Sequence, residues 1–528
     1  MPPPRGRRAG PGAPAPARRA EVVARWWRGG GKSGPLPLSA RERRRRAGGQ
    51  VQELVSAWFG LLSAIRVEGL AALGFVLALA VTLHALLNKR EVAAAIGWIG
   101  LAWLSPLAGS ALYALFGINR VTRRARRLPV LPVRKPGVPQ ADPVTVPGPF
   151  LPLEQAGDRL TGLPLTGGNR VALLRHGDEA YPAMLAAIEG ARETVGLSSY
   201  IMRDDVSGEA FVAALARAKA RGVAICVLVD GIGSGYFFPA IYRRLRREGI
   251  PAGLFMHSAV PWRMPFLNLR THKKLLVIDG RTGFVGGVNI GDENLVSRHP
   301  PEPVRDTHFL LEGPVVGQLA QAFARDWSFV TGEDLDGPGW FPAIPPAGDT
   351  PARVVTSGPD ADIEKIEYVV LAALAVARHS IRLATPYFLP SEILLTSLAL
   401  AAMRGIAVDV IIPQASNHRM VDWATRAHVA PLLRSGVRIW LDRPPFDHSK
   451  LMVVDDAWCF VGSANWDTRS FRLNFELNVE LYDEAFAAEL NRLLAAKMQV
   501  PLTLDALTAR GMPVRLRDAG VRLLLPYL

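Results

Sequence analysis

The residues of this chain best suited to chemistry occur twice, in the same order and at the same spacing. Residues 272–279 read HKKLLVID and residues 448–455 read HSKLMVVD, so both follow the pattern H-x-K-x-x-x-x-D. The match continues without a gap, because residues 284–289 (FVGGVN) align with residues 460–465 (FVGSAN). A repeat of this length predicts two similar folded units.

Each copy of the motif places an imidazole beside an ammonium group. Alternate residues of a strand point to the same face, so His272 and Lys274 are expected to present together, as are His448 and Lys450. Two such pairs meeting between the units would surround one tetrahedral anion, and lysine binds phosphate as a point charge. One imidazole could then attack phosphorus while the other protonates the leaving alkoxide.

The two asparagines that end the matching segments, Asn289 and Asn465, can add neutral donors to the same oxygens. Because the lysines supply the positive charge, we predict no metal and no other cofactor. Two alternatives are weaker. The first is that these are ordinary core or surface residues, but such residues would not recur with the same spacing and the same following segment. The second is a zinc site, which would obtain only one histidine per motif, beside a lysine that zinc does not favour.

The positive charge of the chain is concentrated at its N-terminal end. The net charge is +15, yet residues 1–50 carry 13 Lys and Arg against 2 acids, and residues 118–136 carry 7 against none. Residues 137–528 therefore have a net charge of −3. A domain that binds nucleic acid usually carries its own basic face, so this distribution favours a membrane role and no nucleic-acid partner. The two cysteines, Cys226 and Cys459, lie in apolar runs and are expected to be buried small hydrophobes, not a disulfide or metal ligands.

Two long apolar runs predict a membrane region over residues 51–118. Helices over about 69–87 and 92–118 are long enough to cross a bilayer, and a four-residue connection would make them a hairpin. A hairpin buried in a soluble core is the alternative. Arginines crowd both outer ends, so the positive-inside rule places both ends in the cytoplasm. Residues 51–65 are weakly amphipathic and could lie along the membrane surface.

Composition and periodicity divide the rest of the chain. We expect a disordered basic tail over 1–50, a proline-rich linker over 119–168, a first unit over 169–348, a second unit over 349–500 and an amphipathic tail over 501–528 that packs on the protein. In each unit, helical stretches alternate with short apolar strands, which indicates a layered α/β fold.

The paired motif resembles that of the phospholipase D superfamily, and the chain is most similar to bacterial cardiolipin synthases. The resemblance runs from the membrane region to the last residue, and it is supported by further segments: residues 113–117 (YALFG), 230–234 (DGIGS), 268–270 (NLR), 286–291 (GGVNIG), 385–388 (TPYF), 462–465 (GSAN) and 469–476 (RSFRLNFE). It implies two tandem phospholipase D-like α/β/α sandwich units related by a pseudo-twofold axis and preceded by a transmembrane helical hairpin.

The resemblance also implies roles for the site residues. His272 would be the nucleophile that forms a phosphatidyl-histidine, and His448 the general acid and later base. Lys274, Lys450, Asn289 and Asn465 would hold the phosphate. Glu476 would orient an imidazole, and Asp306 is its best counterpart in the first unit, at a different spacing. The last residues of the motifs, Asp279 and Asp455, are expected to fix the local fold.

Two departures from the family pattern concern positions beside the site. Gly287 stands where the second unit has Ser463, so the half-sites differ, and Asp447 precedes His448 where a small or apolar residue is expected. Because of the second departure, the sequence does not identify the alcohol that accepts the phosphatidyl group.

The activity implied is transfer of a phosphatidyl group between two phosphatidylglycerol molecules, with release of glycerol, by a multi-pass protein of the bacterial inner membrane whose catalytic units face the cytoplasm. Phosphatidylglycerol and other anionic lipids are the expected partners. Rival interpretations are a lipid hydrolase, a transferase with another acceptor, a nuclease on the same scaffold, and a membrane scaffold with a decayed site.

Overall fold

A computed structural model describes residues 40–89, 92–118, 144–235, 239–255, 270–359 and 362–523, with the backbone alone at 40–47, 50–51 and 61–66. The chain divides into two compact units, residues 1–118 and 119–528, and each is described by itself. Four parts of the chain that the predictions concern lie outside the described residues: residues 1–39 of the predicted tail, residues 119–143 of the predicted linker, Asn268 and Leu269, and the last five residues.

The N-terminal unit is helical. Its elements are α1 (Ala40–Asn88), α2 (Val92–Leu104), α3 (Pro106–Leu112) and a π-helical turn (Tyr113–Gly117). Among the described residues one stretch, Val67–Asn88, is long and apolar enough to cross a bilayer. It continues from the N-terminal part of α1 without a break, so the predicted surface helix over 51–65 and residues 40–50 of the predicted tail belong to the same helix.

The second apolar run is not the single helix that we predicted. It breaks at Ser105, where Pro106 begins α3 and has no N–H to continue the hydrogen bonds of α2. The 13 residues of α2 reach about 20 Å, which is short of a hydrocarbon core of about 30 Å. The run nevertheless packs on α1, because Trp103 Nε1 donates to Thr82 Oγ1 at 3.0 Å and the Tyr113 hydroxyl lies 2.7 Å from His84 Nδ1.

The C-terminal unit is built on one long sheet. The strands of its first half are β1 (Thr166–Arg175), β2 (Thr194–Ser199), β3 (Ala224–Asp230), β4 (Ala252–Phe255), β5 (Arg270–Thr271), β6 (Leu275–Ile278), β7 (Thr282–Gly286), β8 (Val304–Arg305) and β9 (Thr307–Glu312). Those of its second half are β10 (Thr350–Ser357), β11 (Ser380–Ala384), β12 (Phe388–Leu389), β13 (Ala407–Pro413), β14 (Arg438–Asp442), β15 (Phe446–Asp447), β16 (Leu451–Val454), β17 (Trp458–Gly462), β18 (Trp466–Asp467), β19 (Asn474–Tyr482) and β20 (Val500–Leu502).

The strand order of the first half is repeated in the second. From the centre outward the first half runs β1-β9-β7-β6-β2-β3-β4, and the second runs β10-β19-β17-β16-β11-β13-β14. The two halves join where β1 pairs antiparallel with β10, with Thr166 opposite Ala352. The first four residues after each motif lysine form equivalent strands, β6 and β16, so the two motifs occupy matching places in a pseudo-twofold arrangement.

Helices cover both faces of the sheet. They are α4 (Leu151–Thr161), α5 (His176–Gly190), α6 (Val206–Ala220), α7 (Ala240–Arg247), α8 (Val315–Thr331), α9 (Lys365–Val376), α10 (Glu392–Met403), α11 (Arg419–His428), α12 (Ala430–Arg434), α13 (Thr468–Arg472), α14 (Glu484–Lys497), α15 (Leu504–Thr508) and α16 (Met512–Arg522). The alternation of strands and helices confirms the mixed α/β class that the periodicity predicted.

Three apolar cores hold these layers together. One lies under α5 and α6 in the first half, and one under α9 and α10 in the second. The third is shared, because α8 and α14 both contribute to it and Phe309 meets Phe486 at a ring distance of 6.1 Å. As predicted, Cys226 and Cys459 are buried and form no disulfide.

Part of the predicted linker is folded. Residues 151–161 form α4, and Phe150 and Leu153 are buried in the core of the second half. The sequence analysis did not predict this helix, because prolines interrupt the apolar periodicity of the segment. Pro152 stands in the first turn of the helix, where proline is tolerated. The predicted C-terminal tail forms β20, which pairs with β14, and then α15 and α16.

Candidate active site

His272 is placed by a strand that reaches across to the other half. The short strand β5 pairs with β19, and the His272 N–H continues this pairing by donating to the Phe475 carbonyl at 2.9 Å. Lys274 follows, and the chain then enters β6. The first motif is therefore anchored by its own half on one side and by the opposite half on the other.

His448 is placed in the corresponding way. Its preceding strand β15 pairs with β8 of the first half, and the His448 N–H donates to the Arg305 carbonyl at 2.7 Å. Because each motif is paired with a strand of the opposite half, the two imidazoles lie close together, with ring centroids 6.2 Å apart and ring planes at 79°. Both side chains are nearly buried, at 8% and 11% exposure, so a reacting group between them is shielded from most of the solvent.

Each imidazole is held at Nδ1 by a carboxylate from the opposite half. His272 Nδ1 lies 3.0 Å from Glu476 Oε2 and 3.0 Å from the Ser463 carbonyl oxygen. A carbonyl can only accept, so Nδ1 of His272 carries the proton and Nε2 keeps its lone pair. His448 Nδ1 lies 2.7 Å from Asp306 Oδ2.

Asp306 occupies the same register as Glu476, although its spacing from the motif differs. The Gly287 N–H donates to the Thr307 carbonyl at 2.9 Å, and the Ser463 N–H donates to the Leu477 carbonyl at 3.0 Å. Thr307 and Leu477 directly follow the two acids. The spacing differs because the connection from Asn289 is longer than the one from Asn465 and contains two short 3₁₀ turns.

The Gly287 and Ser463 difference has a steric cause. A Cβ at Gly287 would stand 2.1 Å from Asp306 Oδ1. In the second half the longer Glu476 side chain leaves room, and the Ser463 hydroxyl donates to Glu476 Oε2 at 2.6 Å. The half-sites therefore differ in how each acid is held, while each acid still orients one imidazole.

The two motif lysines lie buried beside the histidines. Lys274 Nζ donates to the His272 carbonyl at 2.7 Å, and Lys450 Nζ donates to the His448 carbonyl. Burial, followed by the charge of Lys450, lowers the pKa of Lys274 to about 7, and burial lowers the pKa of Lys450 to about 8. Two poorly solvated cations side by side favour an anion between them.

Burial and the lysines also control the imidazoles. Burial and then Lys274 lower the pKa of His272 well below its usual value, and burial and then Lys450 lower that of His448 to about 3. Without a bound anion, both rings are therefore neutral at pH 7. Burial raises the pKa of Glu476 to about 7.

The two asparagines of the repeat, Asn289 and Asn465, are both buried. Asn289 Oδ1 accepts from the Ile201 N–H at 3.2 Å, which fixes the orientation of its amide. In the part of the chain that the structure describes, Asn465 Oδ1 has no hydrogen-bond partner. This oxygen can accept a hydrogen bond from a ligand hydroxyl, whereas a phosphate oxygen would need the Nδ2 group of Asn465 as its donor.

Asp279 and Asp455 lie at the far ends of β6 and β16 from the histidines. Asp279 accepts from the N–H groups of Arg192, Glu193 and Thr194, and Asp455 from those of Arg378, His379 and Ser380. Both have a left-handed backbone, with φ of 51° and 50°. These carboxylates fasten the start of β2 and β11, and they do not enter the site.

Asp447 points away from the reacting centre. Its carboxylate pairs with the Lys497 ammonium of α14, and it also accepts from the Ser449 N–H at 2.9 Å. The first half has an ion pair of opposite polarity at a neighbouring position, because Lys273, which follows His272, pairs with Asp326 of α8 at 2.8 Å. Asp447 therefore has a structural role as one partner of an ion pair.

Sequence analysis missed two tyrosines that flank the histidines. Tyr200 follows β2 and its ring lies 4.9 Å from that of His272, and Tyr387 follows β11 at 6.0 Å from His448. The Lys274 ammonium lies 5.1 Å from the centre of the Tyr200 ring. The signal was present, since a tyrosine follows the equivalent strand in both halves.

The fold is shared with a solved lipid-modifying enzyme. A crystal structure of phosphatidylserine synthase from Haemophilus influenzae Rd KW20 superposes over 71% of this chain and all of that chain, with a TM-score of 0.52 and 14% identity. At that identity the likeness concerns the fold alone.

Sequence comparisons define the family more narrowly. The family model described as "Cardiolipin synthase, PLD-like domain" matches residues 184–327 and 370–498. Cardiolipin synthase of Geobacillus kaustophilus is 33% identical over 84% of this chain and 90% of its own length, and cardiolipin synthase A of Pseudomonas aeruginosa PAO1 is 33% identical over 88% and 95%. This chain belongs to the cardiolipin synthase family.

Proposed function

We propose that this protein is a cardiolipin synthase that transfers a phosphatidyl group from one phosphatidylglycerol to another and releases glycerol. The observation that carries the proposal is the pair of imidazoles at a ring distance of 6.2 Å, each oriented by an acid of the opposite half. A phosphodiester between them would meet a nucleophile on one side and a proton donor on the other.

In the first step the donor phosphate lies between the lysines, with Asn289 and Asn465 as further hydrogen-bonding groups. His272 Nε2 attacks phosphorus, a P–N bond forms, and the P–O bond to glycerol breaks. His448 gives its proton to the departing glycerol oxygen. The negative phosphodiester favours the protonated form of His448, which offsets the effect of burial and Lys450 on its pKa.

In the second step a hydroxyl of another phosphatidylglycerol takes the place of glycerol. His448, now neutral, accepts the hydroxyl proton while the oxygen attacks phosphorus. The P–N bond to His272 breaks, and cardiolipin is released. Lys274 and Lys450 stabilise the crowded phosphorus in both steps, because the bound phosphodiester favours their charged forms and so offsets the burial that lowers their pKa values to about 7 and about 8.

The assignment of His272 as nucleophile follows the family resemblance and is supported by its surroundings. Its Nδ1–H is held by two acceptors, Glu476 and the Ser463 carbonyl, which keeps Nε2 unprotonated. His448 has the single carboxylate of Asp306 at 2.7 Å. A close anionic partner favours uptake of a proton, as a general acid requires.

The N-terminal unit is the proposed membrane anchor. The apolar stretch Val67–Asn88 tethers the catalytic unit to the bilayer in which both lipid substrates are concentrated. We propose that the shorter helices of the second run complete a hairpin in the bacterial inner membrane. The basic flanks then place the catalytic unit in the cytoplasm and attract anionic lipids.

Product analysis tests the proposal. The purified full-length protein in phosphatidylglycerol vesicles should form cardiolipin and glycerol in equal amounts, with the same yield in the presence of a chelator. His272→Gln and His448→Gln should lower the yield at least about 1000-fold, as removal of a nucleophile or its acid–base partner does in related covalent mechanisms. Phosphatidic acid without cardiolipin would instead establish a hydrolase.

A further inference from the structure

The last described helix of the chain, α16, has an outward face to which the mechanism above gives no task. Met512 and Leu516 of this helix and Leu523, which directly follows it, are 61%, 64% and 76% exposed. They are spaced by four and seven residues, and a helix turns by about 100° per residue, so they lie on one face. A row of exposed large apolar side chains on a helix indicates a contact surface for an apolar partner.

Arginines accompany this apolar face. Arg515 and Arg522 each precede one of its leucines, and both are exposed. The one acid of α16, Asp518, is buried and pairs with Arg510 and Arg517. In the part of the chain that the structure describes, Arg515 and Arg522 form no ion pair. The outward face of α16 is therefore apolar and basic.

The inward face of α16 holds the helix on α11. Val521 packs on the apolar cluster that contains Val421 and Ala424 of α11. The Arg517 guanidinium lies 4.1 Å from the centre of the Trp423 ring, also on α11. These contacts fix the position of α16 on the catalytic unit without using its exposed leucines.

The cluster beneath α16 also borders the catalytic pair. Tyr387 packs on the same cluster as Val521, and its ring lies 6.0 Å from that of His448. The ring of His418, the residue before α11, lies 5.5 Å from the Tyr387 ring. A surface that contacts α16 therefore also lies close to the catalytic histidines.

The exposed start of α11 extends the outward face of α16 toward the site. Arg419 and Met420 are both exposed, and they directly follow His418. Met420 stands three residues before Trp423, so the two side chains are neighbours on the surface of α11. The combination of apolar and basic side chains thus continues from α16 to the edge of the site at Tyr387.

An anionic lipid surface matches this combination. Helices that lie on membranes bury an apolar face among the lipids and keep basic residues at the headgroups, and arginine is well suited to phosphate. A protein partner could cover the leucines, but it would not require arginines without carboxylate partners beside them. The basic character is local, because residues 137–528 have a net charge of −3.

We propose that α16 docks on the surface of the anionic bilayer, with Leu516 and Leu523 among the lipids and Arg515 and Arg522 at their phosphates. This inference goes beyond the proposed function and rests on it only for the anionic lipid as substrate. Docking brings the edge of the site at Tyr387 to the bilayer. A phospholipid then reaches the nearly buried histidines without exposing its acyl chains to water, which would be costly.

The test measures where α16 lies in the full-length protein. Leu516→Cys carries a nitroxide spin label, and the native Cys226 and Cys459 are buried. The protein is reconstituted in vesicles of phosphatidylglycerol and phosphatidylcholine, or of phosphatidylcholine alone. Collisions of the label are measured with oxygen, which concentrates in the bilayer, and with a neutral nickel chelate, which stays in water. Ala485→Cys is the control, because this exposed residue of α14 follows the end of β19 that is remote from Glu476.

We expect the label at position 516 to collide mainly with oxygen in vesicles that contain phosphatidylglycerol, and the label at position 485 to collide mainly with the nickel chelate. Each arginine near an anionic surface contributes about fivefold in affinity. Adding Arg515→Gln and Arg522→Gln should therefore lower the ratio of docked to undocked protein about 25-fold. Arg492→Gln, an exposed arginine of α14, should leave it unchanged.

Glycerol release gives a second measurement. The double variant Arg515→Gln, Arg522→Gln should lose about 5-fold to 25-fold activity on phosphatidylglycerol in vesicles, for the same reason. It should keep the wild-type rate on dihexanoyl phosphatidylglycerol, which reaches the site from water. An equal loss on both substrates would place the defect in the site and overturn the inference.

The label also separates the other occupants of this face. Collisions at position 516 mainly with the nickel chelate would show that α16 lies in water, and collisions with neither reagent would show that a protein, such as a second copy of this chain, covers it. Docking that is equally strong on phosphatidylcholine would exclude the role of the arginines. Each of these results overturns the inference. A docked label in a wild-type protein that forms no cardiolipin would refute the proposed function instead.

Discussion

Glu476 and Asp306 orient the two imidazoles from different surroundings. Glu476 is fully buried, is held by the Ser463 hydroxyl and the Asn474 amide, and has a pKa that burial raises to about 7. Asp306 instead accepts from the N–H of its neighbour Thr307 at 2.7 Å. The protonation of Glu476 therefore changes near neutral pH, and with it the basicity of His272.

We predict that Glu476 sets the acid side of the pH profile. As the pH falls through about 7, Glu476 gains a proton, Nδ1 of His272 loses its anionic partner, and kcat/KM falls. Glu476→Gln should lower kcat/KM about 100-fold to 10,000-fold, as loss of an orienting carboxylate does in a catalytic triad, and should abolish the acid limb. The measurement is glycerol release from phosphatidylglycerol between pH 5 and pH 9.

Glu484→Gln provides the control for this prediction, because Glu484 is an exposed acid in the first turn of α14. It should keep the wild-type profile. If Glu476→Gln retained the acid limb with a reduced rate, another group would control the ionisation.

The steric difference between the half-sites gives a second prediction at this scale. Gly287→Ser should push the Asp306 carboxylate away from His448, because a Cβ there would stand 2.1 Å from Asp306 Oδ1. Turnover should fall more than 100-fold. Ser463→Gly removes one hydrogen bond to Glu476 and should cost less than Gly287→Ser. Steady-state kinetics of both variants check the order, and equal losses would contradict the steric explanation.

At the scale of elements, each motif region is joined to a helix, α8 or α14, by a buried ion pair, and the two ion pairs have opposite polarity. Lys273 pairs with Asp326 of α8, and Asp447 pairs with Lys497 of α14. Burial alone would raise the pKa of Asp447, but the Lys497 charge and the Ser449 hydrogen bonds outweigh it and lower the pKa to about 2. The stability from this pair is present above pH 3.8, the ordinary pKa, and is lost as the pH falls toward 2.

Breaking the first-half pair should destabilise the catalytic unit. Asp326→Ala leaves the Lys273 ammonium buried without a partner and should lower the free energy of unfolding by about 3–5 kcal/mol. The double variant Lys273→Met, Asp326→Leu should recover most of the loss, because no charge then remains buried. Denaturant unfolding followed by circular dichroism measures both, and a double variant as unstable as the single one would exclude this explanation.

The same scale shows which elements the sequence could predict. Apolar periodicity predicts helices over 209–221 and 391–404 and strands over 223–229 and 405–412. Helices α6 and α10 and strands β3 and β13 lie within a few residues of these bounds, because apolar periodicity and burial agree there. The break at Ser105 and the helix α4 were missed, since proline is compatible with a membrane helix, a linker or a first helical turn. Asp447 was misleading for another reason: its partner Lys497 is remote in sequence.

For the whole molecule, neither half contains a complete site. His272 requires Glu476 of the second half, and His448 requires Asp306 of the first. The repeated motif predicted that two histidines converge, because duplication implies symmetry. It could not predict that each orienting acid crosses over, since that depends on the pairing of β5 with β19 and of β8 with β15.

The most direct test of a shared site with divided roles is to trap the phosphatidyl-enzyme. A phosphorus-labelled phosphatidyl donor with p-nitrophenol as its leaving group needs little protonation, so His448→Gln should still form the intermediate while the second step stalls without a base. We predict an acid-labile label on His272 in His448→Gln and no label in His272→Gln. A label on His448, or label in neither variant while the wild-type enzyme turns over, would contradict it.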